Sequence, residues 1–160
     1  MSLAPLQHLR VLGLEATEGL GFLQKGNTMG YCRKASWISQ DEFHTRISQV
    51  YLNGFTDLVL RNTQVADGWL GMLLEFPRIH KLDLTLNPIS DVGLRGLSGL
   101  TSLRVLKLAG TDISDLGLSH LLGMTGLKFL DISNTNISDA GIDAIVKLER
   151  LEVIDIRRTR

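Results

Sequence analysis

The chain is short of the residues on which covalently held or metal-held folds depend. It has a single cysteine, Cys32, in 160 residues, so no intrachain disulfide framework can form, and the disulfide-capped ends of many secreted repeat proteins are excluded. A reducing, cytoplasmic setting is the expectation that follows. Net charge is also lacking, because seventeen basic residues balance seventeen acidic ones. No long-range field then draws the chain to a phosphate backbone or an anionic membrane, and neither nucleic acid nor membrane is an expected partner. Met1 to Leu14 hold no basic stretch followed by an uninterrupted apolar run. Neither a signal peptide nor a membrane span is expected there.

Catalytic chemistry is equally sparse. His8, His44, His80 and His120 stand far apart with no His-x-x-x-His or Cys-x-x-Cys companion, so no metal site is expected. Gly93 to Gly99 is rich in glycine, but its leucines keep a core register and no Gly-Lys-Ser/Thr follows; it is not a phosphate cradle. An enzyme reading reduces to Cys32 as a nucleophile with His44 as its base, and nothing in their spacing specifies that pair. The expectation is a non-enzymatic protein with no catalytic residue, no cofactor and no metal.

What is present is a period. From Ile79 onward the sequence repeats every 24 residues: Ile79, Leu103, Leu127 and Leu151 are in register, as are Leu82, Leu106, Leu130 and Ile154, then Leu84, Leu108, Ile132 and Ile156. Asn87, Thr111, Thr135 and Thr159 follow, and Ile-Ser-Asp-x-Gly-Leu or its near match starts at Ile89, Ile113 and Ile137. Self-similarity of this length means a solenoid, with a long surface suited to binding. A hydrophobic content of 44% over one domain's length supplies the core.

Each unit opens with a short strand. Leu106 and Leu108 alternate inward while Val105, Lys107 and Ala109 point out. Thr111 and its equivalents sit where the chain leaves the strand, where a small hydroxyl or amide satisfies backbone groups left unpaired by the turn. Ser114-Asp115 then reads as the N-terminal cap of a short helix. Leu118, Leu121, Met124 and Leu127 recur every three residues, a spacing closer to 3₁₀ than to α, so one or two turns of mixed helix are expected. Strands stacked about 4.8 Å apart against bulkier helical segments must curve, with a parallel sheet on the concave side.

The pattern Leu-x-x-Leu-x-Leu-x-x-Thr-x-Ile-Ser-Asp-x-Gly-Leu-x-x-Leu resembles leucine-rich repeats. Its Ile-Ser-Asp-x-Gly-Leu segment is similar to that of the cysteine-containing class found in F-box substrate adaptors, with Thr111, Thr135 and Thr159 where that class has cysteine. The resemblance implies an α/β right-handed solenoid and a protein-binding role. It does not choose among adaptors, inhibitors, effectors and assembly factors, which share the repeat.

Upstream the period decays. Leu58, Leu60, Thr63, Val65, Asp67, Leu70, Leu73 and Phe76 keep it, but Gly68 comes one place early and Ala66 replaces serine. Leu9, Leu12, Leu14 and Thr17 fit the strand half of another unit, 46 residues before Leu58. Ser39-Gln-Asp-Glu42 has capping-box spacing, with Ile38 placed to staple onto Phe43. A helix over about 40–52 is expected, with Phe43, Ile47, Val50 and Tyr51 on one face and Asn53-Gly54 as its C-terminal stop. Lys25 to Lys34 has no periodic pattern and reads as a surface loop. The organisation is one continuous domain: an irregular N-terminal part, 1–54, and regular repeats over 55–160. The sequence stops at Arg160 just after the threonine of a fresh repeat, which leads us to expect further repeats or a cap in the full gene product, and possible association through the last strand edge.

The candidate site is the outward face of the sheet. One row runs Asp57, Lys81, Val105, Phe129, Val153; the next Val59, Asp83, Lys107, Asp131, Asp155; the third Arg61, Thr85, Ala109, Ser133, Arg157. Phe129 between Val105 and Val153 reads as an aromatic anchor with a charged rim of Lys81, Asp83, Lys107, Asp131, Asp155 and Arg157, the makeup of a protein-binding hot spot. The charged row has a second reading, as ordinary cross-strand pairs between neighbours of opposite sign.

Overall fold

The computed structural model describes residues 10–11, 22–25, 28–31, 39–52, 54 and 56–160. Among the described residues, eight strands form one sheet in sequence order: β1 Arg10–Val11, β2 Phe22–Lys25, β3 Thr28–Tyr31, β4 Asp57–Val59, β5 Lys81–Asp83, β6 Val105–Lys107, β7 Phe129–Asp131 and β8 Val153–Asp155. From β3 onward every neighbour is parallel. From β4 on, each pairs with the residue 24 places later, as in Leu58↔Leu82↔Leu106↔Leu130↔Ile154. Periodicity in sequence has become register in space.

The parallel expectation fails at the N-terminal end. β1 pairs with β2 and β2 with β3 in antiparallel sense. Lys25 to Lys34 is accordingly not a loop throughout, because it contains the end of β2 and all of β3. The register Lys25↔Thr28 leaves only Gly26-Asn27 between the two strands. A two-residue Gly-Asn link is a hairpin signal, and it overrides the missing helical or strand period of the flanking residues. The strand half expected around Leu9 to Leu14 is met only as β1; Leu9, Leu12, Leu14 and Thr17 lie outside the described residues.

Helix α1, Gln40–Leu52, has the expected bounds. Phe43 and Ile47 are buried, while Ile38 and the side chains of Val50 and Tyr51 lie outside the described residues. Gly54 takes a φ of +78°, the left-handed conformation that a helix-terminating glycine supplies without steric cost. The later returns are short: α2 Asp67–Leu70 running into a 3₁₀ turn Gly71–Glu75, α3 Asp91–Leu97, α4 Asp115–Leu118 with 3₁₀ turn Ser119–Gly123, and 3₁₀ turn Asp139–Gly141 leading into α5 Ile142–Ile145. Three of the four are the mixed helix that the three-residue spacing predicts.

One continuous core lies between the strands and these returns. The second strand position, Leu58, Leu82, Leu106 and Leu130, is buried, and so is the next inward position, Leu60, Leu84, Leu108 and Ile132. Each such side chain contributes about 1.5–3 kcal/mol on leaving water. At the turn, the Thr63, Thr111 and Thr135 hydroxyls donate at 2.6 Å to the carbonyls of Leu60, Leu108 and Ile132. Asn87 does more. Its amide donates to the Leu60 and Leu84 carbonyls at 2.7 and 2.9 Å, and its Oδ1 accepts the Thr63 and Val65 N–H groups. The structural reading of this column holds.

The Ser-Asp-x-Gly string has a role between repeats that helix capping alone does not capture. Asp67 Oδ1 accepts the N–H of Ser90 at 2.8 Å and its Oδ2 accepts the Ser90 hydroxyl at 2.5 Å. Asp91 grips Ser114 in the same way at 2.8 and 2.6 Å, and Asp115 grips Ser138 at 2.8 and 2.6 Å. Glycine is needed beside each grip: a Cβ on Gly93, Gly117 or Gly141 would collide with Oδ1 of Asp67, Asp91 or Asp115. Capping itself is partial, since Ser90 and Ser138 accept from Val92 and Ala140 N–H, but Ser114 caps nothing. One period earlier the pattern ends. Phe43 stands 24 residues before Asp67 and Trp69 stands at the glycine position, and their rings pack at 5.0 Å between centroids.

Candidate outward face of the sheet

The strands bring the sequence-derived rows together. Lys81, Val105, Phe129 and Val153 are consecutive register partners. Phe129 is half-buried among its neighbours, neither sealed in the core nor fully in solvent, and Val153 beside it is 52% exposed. Lys107, one strand over and two residues along, places its Nζ 5.8 Å from the Phe129 ring centroid, within cation–π range. An apolar row with a cation seated on its aromatic member is therefore present on the outward face.

The charged row is not built of cross-strand pairs. Its carboxylates bond along their own strands, not across to lysines of neighbouring ones. Asp83 Oδ1 accepts the Thr85 N–H at 3.0 Å; Asp131 Oδ1 accepts the Ser133 N–H at 3.1 Å and its hydroxyl at 2.7 Å; Asp155 Oδ1 accepts the Arg157 N–H at 3.1 Å. Aspartate satisfies a backbone donor two residues ahead where the strand ends, a local bond that competes well with a long cross-strand pair. Asp83 is only 7% exposed. Its place in the rim is thereby corrected, since its oxygens are covered by the strand ending they stabilise.

Arg157 adds a second layer. Its Nε and terminal nitrogen donate to both oxygens of Asp155 at 2.6–3.1 Å. Those bonds, the side-chain one first and the backbone one next, hold the Asp155 carboxyl below the usual carboxylate range, and the same carboxylate pushes the guanidinium up. Asp131 also raises Arg157 through space, so one arginine offsets two adjacent carboxylates. The pair is solvent-exposed on the arginine side, and its net stabilisation is small.

One side chain on the rim escaped the sequence reading. Asn62, Leu86, Asn134 and Arg158, with Gly110, occupy the same register position, and all take a φ between 53° and 65°. Asparagine and glycine are at ease there, but leucine is not, at a cost of about 1–2 kcal/mol. Leu86 holds that conformation with its side chain exposed and stands over Gly110, where a Cβ would meet Leu86 Cδ2 at 2.7 Å. The available signal was a row reading Asn, Leu, Gly, Asn, Arg in which two members, Leu86 and Arg158, disagree with their turns.

Among the described residues there is no group of three or more His, Cys, Asp or Glu placed to hold a metal ion, and no helix long and apolar enough to cross a membrane. Cys32 lies outside the described residues, and His44 Nε2 lies 2.9 Å from Glu75 Oε2.

Residues 77–137 match the family described as leucine rich repeat. Solved structures with the same fold include an internalin (inlF) from Listeria monocytogenes, 23% identical with a TM-score of 0.59, the match covering 68% of this chain and 30% of that one. Internalin C2 from the same organism is 22% identical with a TM-score of 0.53, covering 84% of this chain and 62% of its own. The chain thus spans less than two thirds of the length of either. No match was found among curated proteins. The fold is a leucine-rich-repeat α/β solenoid.

Proposed function

We propose that the leucine-rich-repeat solenoid is a non-enzymatic protein-interaction module that holds a protein partner on the concave, outward face of its sheet. The observation that carries this reading is the in-register row Val105, Phe129, Val153 with Lys107 over the aromatic ring. A half-buried aromatic costs little entropy to immobilise and offers a large apolar area, the properties of an interface anchor. Lys81, Lys107, Asp131, Asp155 and Arg157 form the rim, and Leu86 extends it. Asp83 serves the face by fixing the end of β5. We assign the repeats to the cysteine-containing class, with threonine in the cysteine seat, treat 1–54 and 55–160 as the irregular and regular parts of one domain, and place the protein in the cytoplasm on its single cysteine.

Affinity capture from a native lysate with the full chain and with Phe129→Glu, read by mass spectrometry, tests the surface. The variant is expected to lose the partners recovered by the parent, with a melting temperature close to it because the ring is only half-buried. Equal recovery of the same partners by both proteins would remove Phe129 from the interface.

A further inference from the structure

At the end of the sheet where the strands begin, the turns entering β6 and β7 and the segment before β8 enclose a groove of about 530 Å³. Its shape follows from the repeat. Gly126 packs so close to the previous turn that a Cβ would lie 3.2 Å from the Thr101 carbonyl, and one on Gly123 would lie 2.8 Å from that of Ser98. One period later the same positions hold Lys147 and Arg150. Long cationic side chains therefore stand beside a floor from which side chains are missing.

Arg104, Lys147 and Arg150 line this groove against a single carboxylate, Glu149. The neighbouring cation Lys128 is already committed to Glu152 at 2.5 Å. No salt bridge to Arg104, Lys147 or Arg150 is present among the described residues. Hydroxyls of Thr101, Ser102 and Thr125 share the lining, and Leu122, 39% exposed, gives it an apolar shoulder.

We infer that this groove binds a phosphate monoester. A guanidinium fork suits oxygens of a tetrahedral dianion, lysine supplies a point charge, and hydroxyls donate to the remaining lone pairs. The apolar shoulder favours an ester over the free ion. The ester is that of a phosphorylated side chain, and the site acts independently of the outward sheet face.

The test is an amide-resolved NMR titration of the full chain with inorganic phosphate, with a phosphoserine peptide and with the same peptide unphosphorylated. Saturable shifts at Ser102, Thr125, Gly126 and Arg150 are expected from the phosphorylated probes, with a Kd of about 1 mM or tighter, weakening as salt is raised. Tighter binding of the phosphopeptide than of inorganic phosphate supports a modified side chain; equal binding by the two would overturn the ester. The double variant Arg104→Gln and Arg150→Gln should weaken binding by at least about tenfold, with exposed Arg95→Gln as an unaffected control. Non-saturating shifts, equal binding by the double variant, or equal binding of the unphosphorylated peptide would overturn the assignment.

Discussion

Two sets of aspartates run along this molecule with the same 24-residue spacing and opposite fates. Asp67, Asp91 and Asp115, at the starts of the helical returns, each reach into the next repeat and hold both the backbone and the hydroxyl of a serine. Asp83, Asp131 and Asp155, at the ends of strands, each turn back on their own repeat. Each member of the first set meets the serine and lies against the glycine of the following repeat, and it fastens the stack. The second set is interrupted by Lys107, and each member fixes only a local turn. A repeated residue that bonds across repeats belongs to the scaffold, and positions free to differ between repeats are where recognition can be written.

Substitution of Gly117 should separate the two sets most sharply. A methyl at Gly117 collides with Asp91 Oδ1 and lies 3.0 Å from Leu94 Cδ1, so both bonds to Ser114 are disturbed along with core packing. Gly117→Ala is expected to destabilise by about 2–3 kcal/mol, read as a lower denaturation midpoint at unchanged slope. A larger change on the other face, Lys107→Ala, should stay within about 0.5 kcal/mol. If the two variants lost equal stability, the division between scaffold and recognition face would fail.

Acid provides a gentler separation. Asp115 is held below its ordinary value of 3.8 by the Ser138 hydroxyl first, then by the Ser138 backbone N–H. A carboxyl depressed in the folded state adds stability that is fully present above its unfolded pKa and is lost as pH falls through the folded one. Stability of the parent should therefore decline as pH is lowered below about 4, and Asp115→Asn should show a shallower decline. Asp155 is depressed too, but its exposed arginine partner is screened by water and salt. Asp155→Asn should flatten the acid profile less than Asp115→Asn does.

The solenoid was legible because hydrophobic period and strand register are one geometric fact: Leu82, Leu106 and Leu130 are 24 apart in the chain and side by side in the sheet. The outward rows follow from strand alternation, and Val105, Phe129 and Val153 are neighbours in register. What escaped needed knowledge of neighbours. Ser114-Asp115 has the pattern of a helix cap in any single repeat, and only the stacked geometry reveals that Asp115 serves Ser138. The sign alternation of Asp83, Lys107 and Asp131 suggested pairing across strands, but a carboxylate two residues from an unpaired N–H forms the nearer bond. The antiparallel hairpin of β2 and β3 had a signal, Gly26-Asn27, in a stretch whose lack of period drew the eye away from it.

Thr111 tests the smallest difference. Its hydroxyl is buried and donates at 2.6 Å to the Leu108 carbonyl, which also receives the Thr111 N–H at 3.3 Å. Thr111→Val keeps the shape and removes the hydroxyl, yet the carbonyl retains the backbone donor, so the loss should be about 0.5–1.5 kcal/mol. Thr111→Cys replaces the hydroxyl with a weak S–H donor of compact, apolar character. If threonine occupies the seat that cysteine holds in the related repeat class, the cysteine variant should lose less stability than the valine variant in parallel urea titrations. A cysteine variant less stable than valine would mean that the turn requires an oxygen, and that the likeness to the cysteine class stops at the spacing.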